Sequence, residues 1–235
     1  IRQVKFIGAN LKMAQFDLSD LQDTILNGAL MDGASFNETT LIGCDLGNSS
    51  LESSSFINAN LTDCKLNSSN FNNANISLSN HSNCDYSDSI FHGSNSNLAN
   101  FLRCQFSRAS FANMMLARTT FTQCEFKGSL LSENDLEQTI FIESNLPAQT
   151  FIGCSLKNTV FHKTNLEASD FNSMSLDGIV FAESLLMGCS FKRSIIENTV
   201  FSLADLKTSK WDGSKILMSD FRLAKLDHSS LLGSK

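Results

Sequence analysis

Residues 141–161 read FIESNLPAQTFIGCSLKNTVF, and their large apolar side chains fall at Phe141, Leu146, Phe151, Leu156 and Phe161, one at every fifth position. Followed outward in both directions, that register runs unbroken from Ile1 to Leu231. It selects 47 positions, of which 45 are Phe, Leu, Ile, Met, Tyr or Trp; only His81 and Ser96 depart. All 19 phenylalanines, the single Trp211 and the single Tyr86 lie on it. A period of five matches neither the roughly 3.6 residues of a helical turn nor the two of a strand, so the repeat itself is the structural unit.

The residues around each apolar centre agree with that reading. Two positions before the centre, from Val4 to Ser234, stand Ala, Ser, Thr or Cys in 41 of 47 cases, as fits a position short of space. Two positions after it stand 11 of the 12 glycines and seven asparagines. These types accept the positive φ that a type II turn requires at its third residue. Pro147, the only proline, directly follows a centre, where the turn's second residue suits its fixed φ. Each repeat is then a short extended segment and a tight turn, and four such turns close a square coil.

The repeats Ala9-Asn10-Leu11-Lys12-Met13, Ala59-Asn60-Leu61-Thr62-Asp63 and Ala99-Asn100-Phe101-Leu102-Arg103 carry the A(D/N)LXX pattern, and with it the whole chain resembles the pentapeptide-repeat family. The resemblance implies an all-β fold, a right-handed quadrilateral parallel β-helix (a solenoid) of about 12 coils, as one domain spanning 1–235. Centre and small positions then face in, and the other three positions face out. Equivalent positions of successive coils stack, so Phe101 through Phe221 form one column, with Phe151, Phe171, Phe191 and Trp211 on the opposite face.

Charged residues are 18% of the chain, below the roughly 25% of ordinary globular proteins, and Asn, Ser and Thr supply most of the polar surface. The net charge of −6 belongs to residues 1–100, which hold four Lys/Arg against ten Asp/Glu. No apolar run reaches the roughly 18 residues of a membrane-spanning helix, and the first residues show no signal-peptide layout.

All seven cysteines occupy the small inward position, and Cys44, Cys64, Cys84, Cys104 and Cys124 recur once per coil. A straight column cannot surround a metal ion, and in-register Cβ atoms about 4.8 Å apart lie beyond disulfide reach. The expectation is therefore free buried thiols, no metal and no cofactor, and a reducing compartment such as the cytoplasm. Arg103, Arg108 and Arg118 point off different walls and make no nucleic-acid patch. Nothing pairs a nucleophile with a base, cradles a phosphate or sets up a carboxylate dyad, so the chain reads as non-enzymatic.

Three features are left for function. Outward, just before the centre, Ile140, Val160, Val180 and Val200 replace the usual polar residue on four successive coils; Ile142 joins them, and Leu203 and Leu223 could lengthen the strip. This is either a β-branched ladder that stiffens one wall or a protein-binding surface. Inward, His81 and Ser96 break two columns. At the end, Leu226 and Leu231 could stack on a second copy to give a homodimer. The leading reading is a scaffold for protein–protein interaction. The resemblance also raises a DNA-mimicking rod acting on DNA gyrase, as in the family's quinolone-resistance branch, or a targeting and spacer module of a larger secreted effector.

Overall fold

The computed structural model describes residues 1–235 and contains strands but no helix. Each short strand pairs in parallel with the equivalent segment one coil on: Leu21 with Leu41, Leu61 with His81, Phe141 with Phe161. Single bridges repeat the offset on the other sides, as in Ile25 with Asp45, Leu30 with Ser50 and Ser35 with Ser55. The chain is thus a right-handed quadrilateral β-helix. We number its walls by their centres: the first carries Leu21, the second Leu26, the third Met31 and the fourth Phe36, each recurring once per coil.

All 47 residues two after a centre have positive φ, and 36 of them are not glycine. A left-handed backbone costs an ordinary residue on the order of 1 kcal/mol. The coil-to-coil ladder holds it in place, because the amides of most such residues donate to the next coil: Gly8 to the Asn27 carbonyl at 3.0 Å, Met13 to Asp32 at 3.0 Å. Pro147 removes nothing from this ladder. At equivalent positions the amide bonds only a side chain two residues back, as Gly47 does with Asp45 and Ser87 with Asp85.

The centres, together with apolar residues of the small inward position, fill one continuous core of 53 buried residues. Phenylalanines stack along the rod, with ring centroids 5.0 Å apart for Phe101–Phe121 and 5.3 Å for Phe161–Phe181 on the first wall. On the third wall Phe171 lies 5.0 Å from Phe191, and Phe191 lies 4.2 Å from Trp211. Across the interior the two columns meet edge to face, Phe171 against Phe181 at 80°. Parallel stacking within a wall and perpendicular contact between walls are both favourable ring geometries.

The corners come in two kinds. In most, the turn closes on itself, as when the Ala29 amide donates to the Leu26 carbonyl at 3.0 Å. In the strands that bond is missing and the centre carbonyl joins the parallel ladder instead, two bonds per strand pair. Strand corners occupy the first wall as β1 (Asp20–Gln22), β2 (Thr40–Ile42), β3 (Asn60–Thr62), β4 (Asn80–Ser82), β5 (Asn100–Leu102), β6 (Thr120–Thr122), β7 (Ile140–Ile142) and β8 (Val160–His162). They then move to the fourth wall as β9 (Ser175–Asp177), β10 (Ile195–Glu197) and β11 (Lys215–Leu217).

Candidate interaction walls

The cysteine column lies just past the strand corners of the first wall, and that placement gives it work beyond filling space. An open corner leaves the next small residue's amide without its turn partner. That amide is met by the side chain one coil further on: Cys124 N–H donates to Ser144 Oγ at 3.0 Å and Thr164 N–H to Ser184 Oγ at 3.1 Å. Along Cys44 to Cys104 each sulfur lies beside the amide of its counterpart one coil earlier, in the place that the Ser144 and Ser184 hydroxyls take further on. Each thiol also donates to a centre carbonyl, Cys64 to Leu41 and Cys124 to Phe101, both at 3.4 Å. The column stays Cys, Ser or Thr from Thr24 to Ser184. It becomes Ala204 and Ala224 once the first wall's corners close again, as Ser184 N–H to the Phe181 carbonyl shows. All seven cysteines are free. Burial pushes the Cys189 thiol up to about 12, so it is not a nucleophile at neutral pH.

His81 is buried on the first wall between Leu61 and Phe101, stacked on the Phe101 ring at 4.5 Å. Its partners fix its state. Ser79 Oγ donates to the Ile76 carbonyl at 2.5 Å, so it accepts from His81 Nε2–H at 2.7 Å. Nδ1 then accepts from the Tyr86 hydroxyl at 2.5 Å. The imidazole is neutral with both nitrogens satisfied, and burial lowers its pKa to about 3. Ser96, fully buried on the fourth wall, bonds Thr119 Oγ1 at 2.9 Å, while Thr119 Oγ1–H donates back to the Ser96 carbonyl at 2.8 Å. Both irregularities are closed interior networks, and neither opens to a ligand.

On the outside, Ile140, Val160, Val180 and Val200 form an in-register ladder, with Ile142 beside Ile140. They are half-buried rather than exposed, because each covers part of its neighbours above and below. A polar ladder borders them at the corner: Arg103 Nε to Gln123, Gln123 to Glu143, and Lys163 Nζ to Glu183 at 3.6 Å. Leu203 and Leu223 extend that corner and are 53% and 77% exposed. Arg108 is held by Asp88 at 2.6 Å and Arg118 by Gln138 at 3.1 Å, both along the rod. At the far end Leu226 is half-buried and Leu231 is exposed.

The ten carboxylates of residues 1–100 are distributed over all four walls. Where three share the second wall and its corner, Lys65 stands between Asp45 and Asp85. No group of three His, Cys, Asp or Glu side chains is placed to hold a metal. No helix is long and apolar enough to cross a membrane.

Comparison with known proteins gives family matches over most of the chain. A family model described as "Pentapeptide repeat region" matches residues 99–181, and one described as "Pentapeptide repeats (8 copies)" matches 14–52, 44–80 and 54–93. No curated protein sequence matches significantly. Among solved structures, HetL, a pentapeptide repeat protein involved in heterocyst differentiation regulation in the cyanobacterium Nostoc sp. strain PCC 7120, is 15% identical. That match covers 100% of this chain and 90% of HetL, with a TM-score of 0.34. QnrB1, a plasmid-mediated fluoroquinolone resistance protein, is 15% identical over 98% of this chain and 92% of its own, with a TM-score of 0.44. A pentapeptide repeat protein of the Arabidopsis thaliana thylakoid lumen is 18% identical over 49% and 66%, with a TM-score of 0.22.

Proposed function

The chain belongs to the pentapeptide-repeat family, and from that premise we propose that it is a non-enzymatic rod that binds another protein through its first wall. The observation that carries this reading is the division of labour between inside and outside. Six of the seven thiols and the core histidine are sealed in the interior, which leaves the walls to meet a partner. The strip Ile140–Val200 is the longest run of apolar outward residues, and the polar ladder at its edge supplies the kind of rim that fixes orientation. Nearly 12 coils at about 4.8 Å give a contact face roughly 55 Å long. Seven unpaired cysteines suit a reducing compartment.

The test replaces Val160 and Val180 by Ser. Retention of a partner on the immobilised rod is expected to fall at least about tenfold, the loss of a small apolar hot spot, while the far-UV circular dichroism stays unchanged. Equal retention by the double variant would remove the strip as the site.

A second reading takes the target to be DNA gyrase, met by a rod of duplex-like size and charge. Its support is the acidic excess of residues 1–100, ten carboxylates against four basic side chains. The fluoroquinolone resistance named for QnrB1 is of the same kind. A supercoiling assay with purified gyrase, run with and without a fluoroquinolone, decides it. Inhibition or protection at micromolar rod is the expected result, and no effect in either arm rejects it.

A further inference from the structure

Around residue 150 the rod is fully laddered on two walls and loses most of its ladder on the other two. On the first wall the Val160 amide donates to the Thr139 carbonyl and the Glu143 amide to His162, both at 2.9 Å. On the second, Leu146 bonds Asn165 and Asn165 bonds Ser144 at 2.8 and 2.9 Å. On the third wall, Ser110 pairs with Leu130 and Thr150 with Asp170, but Leu130 and Thr150 do not pair with each other. On the fourth, Asp135 pairs with Ser155 and Ser175 with Ile195, but Ser155 and Ser175 do not pair. A single backbone bond crosses each gap, Glu133 N–H to the Ile152 carbonyl at 3.0 Å on the third wall and Asn158 N–H to the Asp177 carbonyl at 3.1 Å on the fourth, so the segment from Ala148 to Lys157 is thinly held towards one neighbouring coil on the third wall and towards the other on the fourth.

The sequence supplies the cause. Coils about 4.8 Å apart leave room only for small side chains two positions before the centre. Six residues break that rule, and five of them, Met114, Asn134, Gln149, Met174 and Ile179, fall between 114 and 179. Gln149 stands at the third-wall gap, between Ser129 and Ser169. Met174 stands at the fourth-wall gap, between Cys154 and Ser194. Cys154 and Met174 are only partly buried, and an open crevice of about 440 Å³ runs between them. The Thr150 hydroxyl has no hydrogen-bond partner. At the same level the strand corners leave the first wall after β8 and reappear on the fourth in β9.

We infer that residues 148–157 are a hinge built into the rod, at which the edge between the third and fourth walls opens while the first and second walls hold. The two blocks it joins are the coils paired through β1–β8 and those paired through β9–β11. The β-branched ladder Ile140–Val160–Val180–Val200 lies opposite the third-wall gap and braces the side that does not open. This goes beyond the binding reading and does not depend on it.

Hydrogen exchange read by mass spectrometry on the whole chain tests the hinge. Amides in 148–157 and 172–176 are expected to exchange at least about tenfold faster than those in 158–162 on the braced wall, and faster than those in 48–57, the matching fully laddered segment. Trypsin should cut first after Lys157, which is exposed on the fourth wall. Gln149→Ser with Met174→Ser restores small residues and should slow exchange in 148–157 without altering 48–57. Equal protection of 148–157 and 48–57 in the wild-type chain would overturn the hinge, and that comparison decides whether or not the double variant folds.

Discussion

Lowering the pH from about 7.5 to 4 is expected to remove roughly 3 kcal/mol of unfolding free energy from the wild-type chain that a His81→Phe/Tyr86→Phe variant retains. In the unfolded chain His81 takes up a proton near its ordinary pKa of 6.5, whereas in the folded core it does so only near 3. Between those values the unfolded state binds more protons, so stability is complete above about pH 6.5 and is lost as the pH falls towards 3. The cause is burial: the ring is sealed under Phe101 with no carboxylate to accept a charged imidazolium. Urea midpoints at several pH values give the slope.

The double substitution is needed because the pair is one unit. His81→Phe alone would extend the aromatic column from Phe101 but leave the Tyr86 hydroxyl buried without an acceptor, at about 1–3 kcal/mol. With Tyr86→Phe as well, the second wall continues into Phe106, and Ser79 keeps its bond to the Ile76 carbonyl. A double variant as acid-sensitive as the wild type would show that some other group sets the slope. Asp32 and Asp88 are the comparison: their pKa values are held low by the Ser50 hydroxyl and the Arg108 guanidinium respectively. Whatever stability they carry is lost only as the pH falls below the carboxylate range.

The sequence fits the fold so closely because one period controls everything that faces inward. A centre such as Phe161 can sit nowhere but the core, and a residue two after it has to accept positive φ, whichever wall it lies on. Outward residues carry no comparable constraint. The β-branched strip is visible as a pattern, but its half-buried state depends on neighbours one coil away in both directions. The choice between a closed and an open corner is harder still, because the same centre carbonyl can take either of two amides. Its trace in the sequence is indirect: the change from Ser184 to Ala204 in the second wall's small column. The gaps at Gln149 and Met174 are likewise written in the six exceptions to the small-residue rule. A count of exceptions hides that five cluster within a few coils, and their clustering is what separates a hinge from scattered tolerance. His81 is legible as an irregularity. Its bond to the only tyrosine, one repeat on, follows from the square cross-section, which brings adjacent walls' centres together.

Cys64→Ala is expected to destabilise the chain by about 1–3 kcal/mol, the cost of leaving a buried backbone group without its partner, while Cys64→Ser is expected to cost less. Ordinary reasoning about a buried cysteine gives the reverse order, since a free thiol behaves as a small hydrophobe and Ala is the less polar replacement. The corner chemistry inverts it. Cys64 lies past a strand corner, where the Cys44 amide has lost its turn carbonyl and has the sulfur beside it instead. The thiol in turn donates to the Leu41 carbonyl at 3.4 Å. A serine hydroxyl can fill both roles, as Ser144 does by accepting from the Cys124 amide at 3.0 Å and donating to the Phe121 carbonyl at 3.1 Å. Alanine fills neither. Cys189→Ala is the control, because the corner one coil earlier is closed: the Ser169 amide, which the Cys189 sulfur sits beside, already bonds the Leu166 carbonyl at 3.1 Å. That variant should lose only the volume of the sulfur and its bond to the Leu166 carbonyl. Denaturant titration of the three variants measures the order directly. If Cys64→Ala proves no less stable than Cys64→Ser, the column serves packing alone, and its change to alanine past Ser184 needs another cause.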